Sequence, residues 1–278
     1  TNNEIGELGQ SINTLSESLD RTIKDLQQKN EQLQNDIERE RKIEQMKKEF
    51  VSNSSHELKT PIAIIQGYAE GLKLGINRKN LNTEEDCDII IEETHKMNRL
   101  VCEMLELSKY ESATYQLEWQ SFDIGKFVAE SIDTYDILGK ENGIEIINTI
   151  PEGIIGYGDP LRLEMVINNY VSNAISHAKY DKKIILSATE NENSTTVSVF
   201  NTGDHIAEND LENIWQSFYR ADKAHSRSEG RFGLGLSIVK AIQDLHGAAY
   251  DVKNVENGVE FSFEIKKPQT NKDEGKEK

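Results

Sequence analysis

Residues Leu8–Ile37 read LGQSINTLSESLDRTIKDLQQKNEQLQNDI, and their apolar spacing decides the first part of the fold. Leu8, Ile12, Leu15, Leu19, Ile23 and Leu26 recur at three- and four-residue steps, and Leu33 and Ile37 follow one heptad on. That alternation is the seam of a coiled coil, in which apolar knobs enter the holes of a facing helix. A doubled step of four between Leu19 and Ile23 is a stutter, which locally unwinds a supercoil. Glu17, Asp20, Arg21, Lys24 and Asp25 lie between the apolar positions and form a solvated face. A helix with such a stripe cannot bury it alone. It calls for a partner helix, most simply the same helix of a second copy.

Downstream, the helical pattern continues through Met46, Phe50, Leu58, Ile62 and Ile65. Ser52–Glu57 (SNSSHE) interrupts it with polar side chains, and Pro61 follows. Proline removes a backbone donor, so the sequence predicts a kink there. Lys73–Thr83, with Gly75 and several Asn, reads as a connector. A second helix then places Cys87, Ile90, Thr94, Met97, Val101, Met104 and Ser108 at alternating steps of three and four. Two helices with a short connection form an antiparallel hairpin, and two such hairpins form a dimeric four-helix bundle.

The texture changes after Ala113. Tyr115–Phe122 alternates like a strand, and Asp123 can cap a helix carrying Phe127, Val128, Ile132 and Leu138. Ile144–Ile150 reads as a strand, Pro151–Gly153 as a turn, and Asp159 opens a helix reaching about Ala178. Strands follow at Lys183–Thr189 and Thr195–Phe200, a helix at Phe232–His246, and strands at Ala248–Asn254 and Val259–Lys266. Mixed elements without strict alternation indicate an α+β two-layer sandwich, with helices on one face of a mixed sheet. The expected organisation is therefore an all-α helical hairpin over 26–112 followed by a sandwich domain over 113–267. Residues 268–278 have no apolar content and read as a disordered tail.

Composition narrows the function. The chain has 278 residues, 49 acidic against 32 basic, and a formal charge of −17. Such acidity argues against charge-driven binding to nucleic acid or an anionic membrane surface. No apolar run is long enough to cross a bilayer. Cys87 and Cys102, on one helix, would sit roughly 22 Å apart along its axis, beyond the ~7 Å reach of a disulfide. They read as small buried apolar side chains in a reducing compartment.

Three segments carry chemistry. In Phe50–Pro61 (FVSNSSHELKTP), His56 sits in the polar break with Glu57 beside it and Thr60 one turn on. A neutral imidazole is a nucleophile, and a neighbouring carboxylate can take its second proton. In Arg162–His177 (RLEMVINNYVSNAISH), Asn169 and Asn173 share one helix face. Amide oxygens there suit Mg²⁺, a hard cation usually completed by phosphates and water. In Gly230–Leu236 (GRFGLGL), an irregular segment runs straight into a helix. Glycines let the backbone approach a ligand, and a helix N-terminus offers N–H groups to phosphate. Arg220, Lys223, Arg227 and Arg231 make that neighbourhood locally basic. Taken singly, each segment also has an ordinary reading: a surface histidine, helix-surface asparagines, a surface loop.

Taken together, their order resembles the sensor histidine kinases of bacterial two-component systems. FVSNSSHELKTP looks like that family's phosphoacceptor motif and RLEMVINNYVSNA like its Asn motif. VFNTGDHI, IWQSFYRAD and GRFGLGLSIVK look like its remaining ATP-site motifs. The resemblance implies ATP-dependent autophosphorylation on His56, assisted by Glu57, then transfer to an aspartate of a response regulator receiver domain. Thr60 would orient water when the phosphorylated regulator is hydrolysed. It implies ATP and Mg²⁺ as cofactors, with Asn173 on the metal and Asn169 near the phosphates. Asn201 and Gly203 would lie at the adenine, and Phe218, Tyr219 and Arg220 would anchor a lid over about 204–231. His177, Arg231, Gly233, Leu234 and Gly235 would complete the site.

Residues 1–25 resemble the second helix of the HAMP relay module, which normally follows a transmembrane helix. The expectation is a homodimer at the cytoplasmic face of the bacterial membrane, anchored through a segment before Thr1, with no nucleic-acid partner. Several positions depart from the family pattern: Asn201 replaces Asp, His205 replaces Gly, and Arg231–Phe232 replace Gly and Ser or Thr. Ser176 replaces Lys, which leaves Lys179 or Lys182 as substitutes. These departures motivate two alternatives, a degenerate dimeric scaffold and a phosphatase-dominant protein. Gyrase- and chaperone-like relatives carry a catalytic Glu at the position of Asn169. An amide cannot act as a base, so the phosphate is expected to go to a histidine rather than to water.

Overall fold

A computed structural model of the chain describes residues 2–74, 83–112, 114–221 and 232–268. By their contacts the residues fall into two compact units, 1–57 and 58–278. One helix, α1 (Asn2–Leu74), contributes to both. It runs unbroken with Pro61 inside it, so the polar break around His56 stays helical. Ser54 and Ser55 return their hydroxyls to the carbonyls of Phe50 and Val51, at 2.6 and 2.8 Å. Those bonds keep polar side chains compatible with the helix. The stripe that opens the sequence is unburied within one chain: Leu15 is 71% and Leu26 61% exposed. The connector and the tail beyond Pro268 lie outside the described residues.

The second unit carries the rest of the fold. Helix α2 (Thr83–Tyr110) buries Asp86, Leu100, Leu107 and Tyr110. Cys87, Thr94, Val101 and Ser108 of the expected seam are exposed instead. Ile90, Met97 and Met104 of the same seam are half-buried within the one chain, in which α2 packs along the helix Gly235–His246. Both cysteines are free and exposed, not buried as their type suggests.

The sandwich has a seven-stranded sheet. Its elements are β1 (Gln120–Asp123), α3 (Ile124–Glu141), β2 (Glu145–Asn148), β3 (Ile155–Gly158), α4 (Pro160–His177), β4 (Lys183–Glu190), β5 (Ser194–Thr202), α5 (Gly235–His246), β6 (Tyr250–Val255) and β7 (Gly258–Lys266). Along the sheet the order is β1-β3-β7-β5-β4-β2, with β6 also paired to β7. All pairs are antiparallel except β2 with β4. The longest ladder joins β5 and β7, from Ser194↔Lys266 to Thr202↔Gly258.

Burial alternates along these two strands as a sheet covered on one face requires. Val197, Val199, Phe261, Phe263 and Ile265 face inward. Tyr170 of α4 lies against the rings of Phe261 and Phe263, at 5.3 and 5.9 Å.

Three expectations on local structure change. Tyr115–Trp119 is not strand: the ladder of β1 begins only at Gln120. Tyr115 turns edge-on to Tyr110 instead. Strand β3 carries no sequence signal, because IGYG is short and half glycine, the poorest strand composition. Helix α5 begins at Gly235 rather than Phe232.

Asp159 fixes where α4 starts. Its carboxylate accepts from Arg162 N–H at 3.3 Å and from Glu118 N–H at 3.0 Å. Its own N–H donates to His246 Nε2 at 3.1 Å, while His246 Nδ1 lies 2.8 Å from the Ile242 carbonyl. The imidazole is therefore neutral, accepting at one nitrogen and donating at the other. Burial holds its pKa below the ordinary 6.5, against the Ile242 bond and Asp159, with Lys266 adding to the lowering. The unfolded chain then binds the proton first, so stability falls as pH drops below about 6.5 and is independent of this group above it. Urea melts at pH 7.5 and 5.5 should differ in that direction, and His246→Gln should remove part of the difference.

Candidate functional site

His56 is exposed on α1, Glu57 is half-buried and Thr60 is exposed. The second constellation lies in the sandwich, around a cavity of about 510 Å³. That volume falls in the range of small-molecule sites, ~300–1,000 Å³. Helix α4 supplies Asn169, Ser172, Asn173 and His177 along one face. Strand β5 ends at the cavity with Asn201, and β7 supplies Val259 and Phe261. The segment after β5 adds Asp204, His205, Ile206, Tyr219 and Arg220, and Gly233, Leu234 and Gly235 close the far side.

Each member is held by identifiable contacts. Asn169 donates from Nδ2 to the Met165 carbonyl at 2.8 Å. Its Oδ1 then lies so close to Gly235 that a Cβ there would collide with it. The i,i+4 pair of Asn169 and Asn173 thus faces the start of α5. That helix begins with no capping side chain at Leu234. A helix N-terminus of this kind suits an anion, since its first N–H groups have no partner within the helix.

Asn201 is 3% exposed and donates to the Thr202 carbonyl at 3.3 Å. Its amide can also accept, so the replacement of Asp preserves an acceptor at the cavity's inner end. Ile206, Ile214, Val259 and Phe261 make that neighbourhood apolar, as a flat aromatic base requires.

Gly203 does not line the cavity, but it makes the turn beneath it possible: a Cβ there would lie 2.5 Å from the His177 carbonyl oxygen. Phe218 is likewise a support. Its N–H donates to the Gly233 carbonyl at 2.9 Å, at a φ of +66°. Gly233 itself has φ +73°, and a Cβ would meet the Tyr219 oxygen at 2.8 Å. Only glycine tolerates both the left-handed backbone and that approach. The contact joins Phe218 to Gly233; residues 222–231 lie outside the described residues. Arg231, and the basic Lys223 and Arg227, fall in that stretch.

Lys179 lines the cavity and Lys182 does not; the Lys182 ammonium donates to the Asn142 carbonyl at 3.1 Å. Lys179 pairs with Asp204 at 2.8 Å, and Tyr180 donates to the same carboxylate. The Lys179 bond, then the Tyr180 bond, hold the Asp204 carboxyl below its ordinary range. Tyr219 donates to Asp210 at 2.6 Å, and the carboxylate raises the phenol's pKa. Asp210, the partner of Tyr219, and Glu103 of α2, which both line the cavity, carry no motif signal. Ring-to-carboxylate spacing across a loop and the reach of a distant helix are not written in local sequence. Among the described residues, no cluster of three or more His, Cys, Asp or Glu could hold a metal.

Two family profiles divide this geometry. The His Kinase A (phospho-acceptor) domain matches residues 46–113, which include His56. The histidine kinase-, DNA gyrase B- and HSP90-like ATPase family matches 158–269, which hold nearly every cavity wall. The chain belongs to the histidine kinase family. Sensor protein SrrB of Staphylococcus aureus is 30% identical over 236 residues, 84% of this chain and 40% of that protein. The chain thus spans about 40% of the length of the curated relatives it matches. Histidine kinase ThkA, crystallised in complex with the response regulator TrrA, is 28% identical with a TM-score of 0.65, covering 79% of this chain and 61% of that one. Full-length ShkA in complex with AMPPNP is 19% identical with a TM-score of 0.58, over 79% of this chain and 46% of that one, and shares the fold. Within this histidine kinase chain, the ATPase-family region is residues 158–269.

Proposed function

We propose that this chain is the autokinase portion of a two-component sensor. ATP binds in the sandwich cavity, its γ-phosphorus is attacked by a His56 ring nitrogen, and the bond to the bridging oxygen breaks, releasing ADP. The phosphoryl group then passes from phosphohistidine to an aspartate of a receiver domain. The observation that carries this reading is the Asn169–Asn173 pair facing the uncapped start of α5 across Gly233–Gly235, in a domain whose chain also presents an exposed His56.

The residues have divided work. Val259, Phe261 and Ile206 enclose the base, and Asn201 accepts from its amino group. Gly233, Gly235 and the first amides of α5 hold phosphate oxygens, with Arg220 and Lys179 supplying positive charge. Asn173 and Asn169 offer amide oxygens of the type Mg²⁺ accepts, and a bound Mg²⁺ neutralises charge on the phosphates. The chemistry is then mostly positioning and charge stabilisation. Glu57 takes the proton from the second imidazole nitrogen. Thr60 supplies a hydroxyl for orienting water, which supports an additional regulator phosphatase activity.

The crystallised complex of ThkA with TrrA supports a receiver-domain partner, and the exposed seam of α1 supports a second copy of this chain as the helical partner. The organisation we favour is a HAMP-like helix over 1–25, a phosphotransfer hairpin over 26–112 and the ATP-binding domain over 113–267. No described helix is long and apolar enough to cross a membrane. Attachment at the cytoplasmic face would come from sequence outside this chain.

The test is chemical. Incubated with γ-labelled ATP and Mg²⁺, the chain should acquire label that is lost in acid and kept in alkali, as a phosphoramidate is. Label stable to acid, or none, would refute the proposal; a scaffold would give none.

A further inference from the structure

Asp210 lines the cavity, and the protein uses only half of its carboxylate. Tyr219 donates to Oδ1 at 2.6 Å. Oδ2 has no partner among the described residues. Asp204, the neighbouring acid on the segment after β5, differs: Tyr180 holds its Oδ1 and Lys179 its Oδ2. The place of Asp210 in the cavity follows from its neighbours. Its carbonyl accepts from the Ile214 N–H at 3.0 Å, and Ile214 belongs to the apolar end where the base is expected. On the other side of the bond, the Tyr219 carbonyl oxygen is 2.8 Å from where a Cβ on Gly233 would stand, at the phosphate end. The Asp210–Tyr219 bond therefore joins the base end of the cavity to its phosphate end. What a nucleotide carries between base and phosphates is its ribose, whose 2′- and 3′-hydroxyls are hydrogen-bond donors.

We propose that Asp210 reads the sugar: its Oδ2 accepts from a ribose hydroxyl, while Tyr219 holds the carboxylate in place through Oδ1. This rests on the ATP site proposed above and adds to it a preference for ribonucleotides. The chemistry suits the pairing. A carboxylate accepts a hydroxyl hydrogen more strongly than a neutral oxygen does. An acidic side chain on a ribose hydroxyl also recurs in dinucleotide sites. Oδ1 is anchored by a phenol that stays a donor, because the bond to the carboxylate raises its pKa. A nucleotide without ribose hydroxyls leaves Oδ2 facing a group that cannot donate, the kind of mismatch by which a site rejects an analogue.

The experiment is equilibrium binding of the Mg²⁺ complexes of ATP and of 2′,3′-dideoxyATP to the full chain, to Asp210→Ala and to Asp210→Asn. Wild-type chain should prefer ATP at least about tenfold, the low end for a hydrogen bond to a charged group. In Asp210→Ala the preference should fall below about twofold, because the acceptor is gone. A merely structural role would weaken both nucleotides alike and leave their ratio unchanged. Asp210→Asn keeps an oxygen acceptor but loses the charge, so the preference should drop at least about threefold. That variant decides the matter if the alanine chain binds neither nucleotide. Equal affinity of the wild-type chain for the two nucleotides would overturn the proposal and leave the ATP site standing. So would a preference that survives both substitutions. Wild-type chain that binds neither nucleotide would instead refute the ATP site itself, and the inference with it.

Discussion

Chains carrying His56→Gln should acquire no acid-labile label from γ-labelled ATP while binding Mg·ATP as wild type does. The amide of glutamine matches imidazole in hydrogen bonding but is not a nucleophile. With no alternative acceptor, incorporation should fall to background, at least about a thousandfold. Binding should survive because the cavity's described walls come from α2, α4, β5, α5, β7 and the segments between them. His56 is exposed, so the substitution leaves no hole and should not change stability. The measurement pairs acid-quench labelling with equilibrium dialysis. Full label on His56→Gln would show that the phosphate goes elsewhere, and joint loss of label and binding would show that His56 is not simply the acceptor.

Tyr170→Ala should be the most damaging change to the fold. Tyr170 is completely buried on α4, its ring against Phe261 and Phe263 and its hydroxyl donating to the Ser262 carbonyl at 3.2 Å. Burial drives the phenol pKa well above its ordinary value, so it remains a neutral donor. Removing a buried aromatic ring typically costs about 3–5 kcal/mol, as transfer energy and a cavity. Tyr170→Phe removes the hydrogen bond alone and should cost only about 1 kcal/mol. Urea denaturation of the two variants separates packing from hydrogen bonding. Equal losses would mean the bond to Ser262, rather than the ring, anchors α4 on the sheet. Since Asn169 and Asn173 flank Tyr170 on the same helix, the alanine variant should also weaken ATP binding.

His56 illustrates what can be read without coordinates, whereas the role of Tyr170 came only from packing. His56 announces itself through neighbours in sequence: a polar break, an adjacent Glu57, a proline beyond. Asn169 and Asn173 do so through helical periodicity, and Gly233 and Gly235 through composition at the mouth of a helix. The structure brings Asn169, Asn173, His177, Asn201, Tyr219, Arg220 and Gly233 to Gly235 to one cavity and leaves His56 exposed on α1, while Arg231 lies outside the described residues. Phe218 and Gly203 shape the site from behind, through a backbone bond to Gly233 and close packing on the His177 carbonyl, rather than lining it.

Other features resist local reading. Strand β3 is four residues with two glycines, and becomes a strand only because β1 and β7 pair with it. The seam on α2 is ambiguous by one residue, since Asp86, Leu100 and Leu107 alternate as well as Cys87, Thr94 and Val101 do. Within the one chain α2 packs along α5 and the first set is buried. Cys87 and Cys102 stay exposed.

Local residue patterns were enough to set most element types, the α4 cap at Asp159, the coiled-coil stripe of α1 and the family motifs, because periodicity, capping and glycine conformation act over a few residues. Long-range packing was needed to choose the buried face of α2, to bring Lys179 rather than Lys182 to the cavity, to make His246 a neutral link between α5 and Asp159, and to add Glu103 to the site. Each of those depends on groups far apart in the chain being brought together by burial of a shared core.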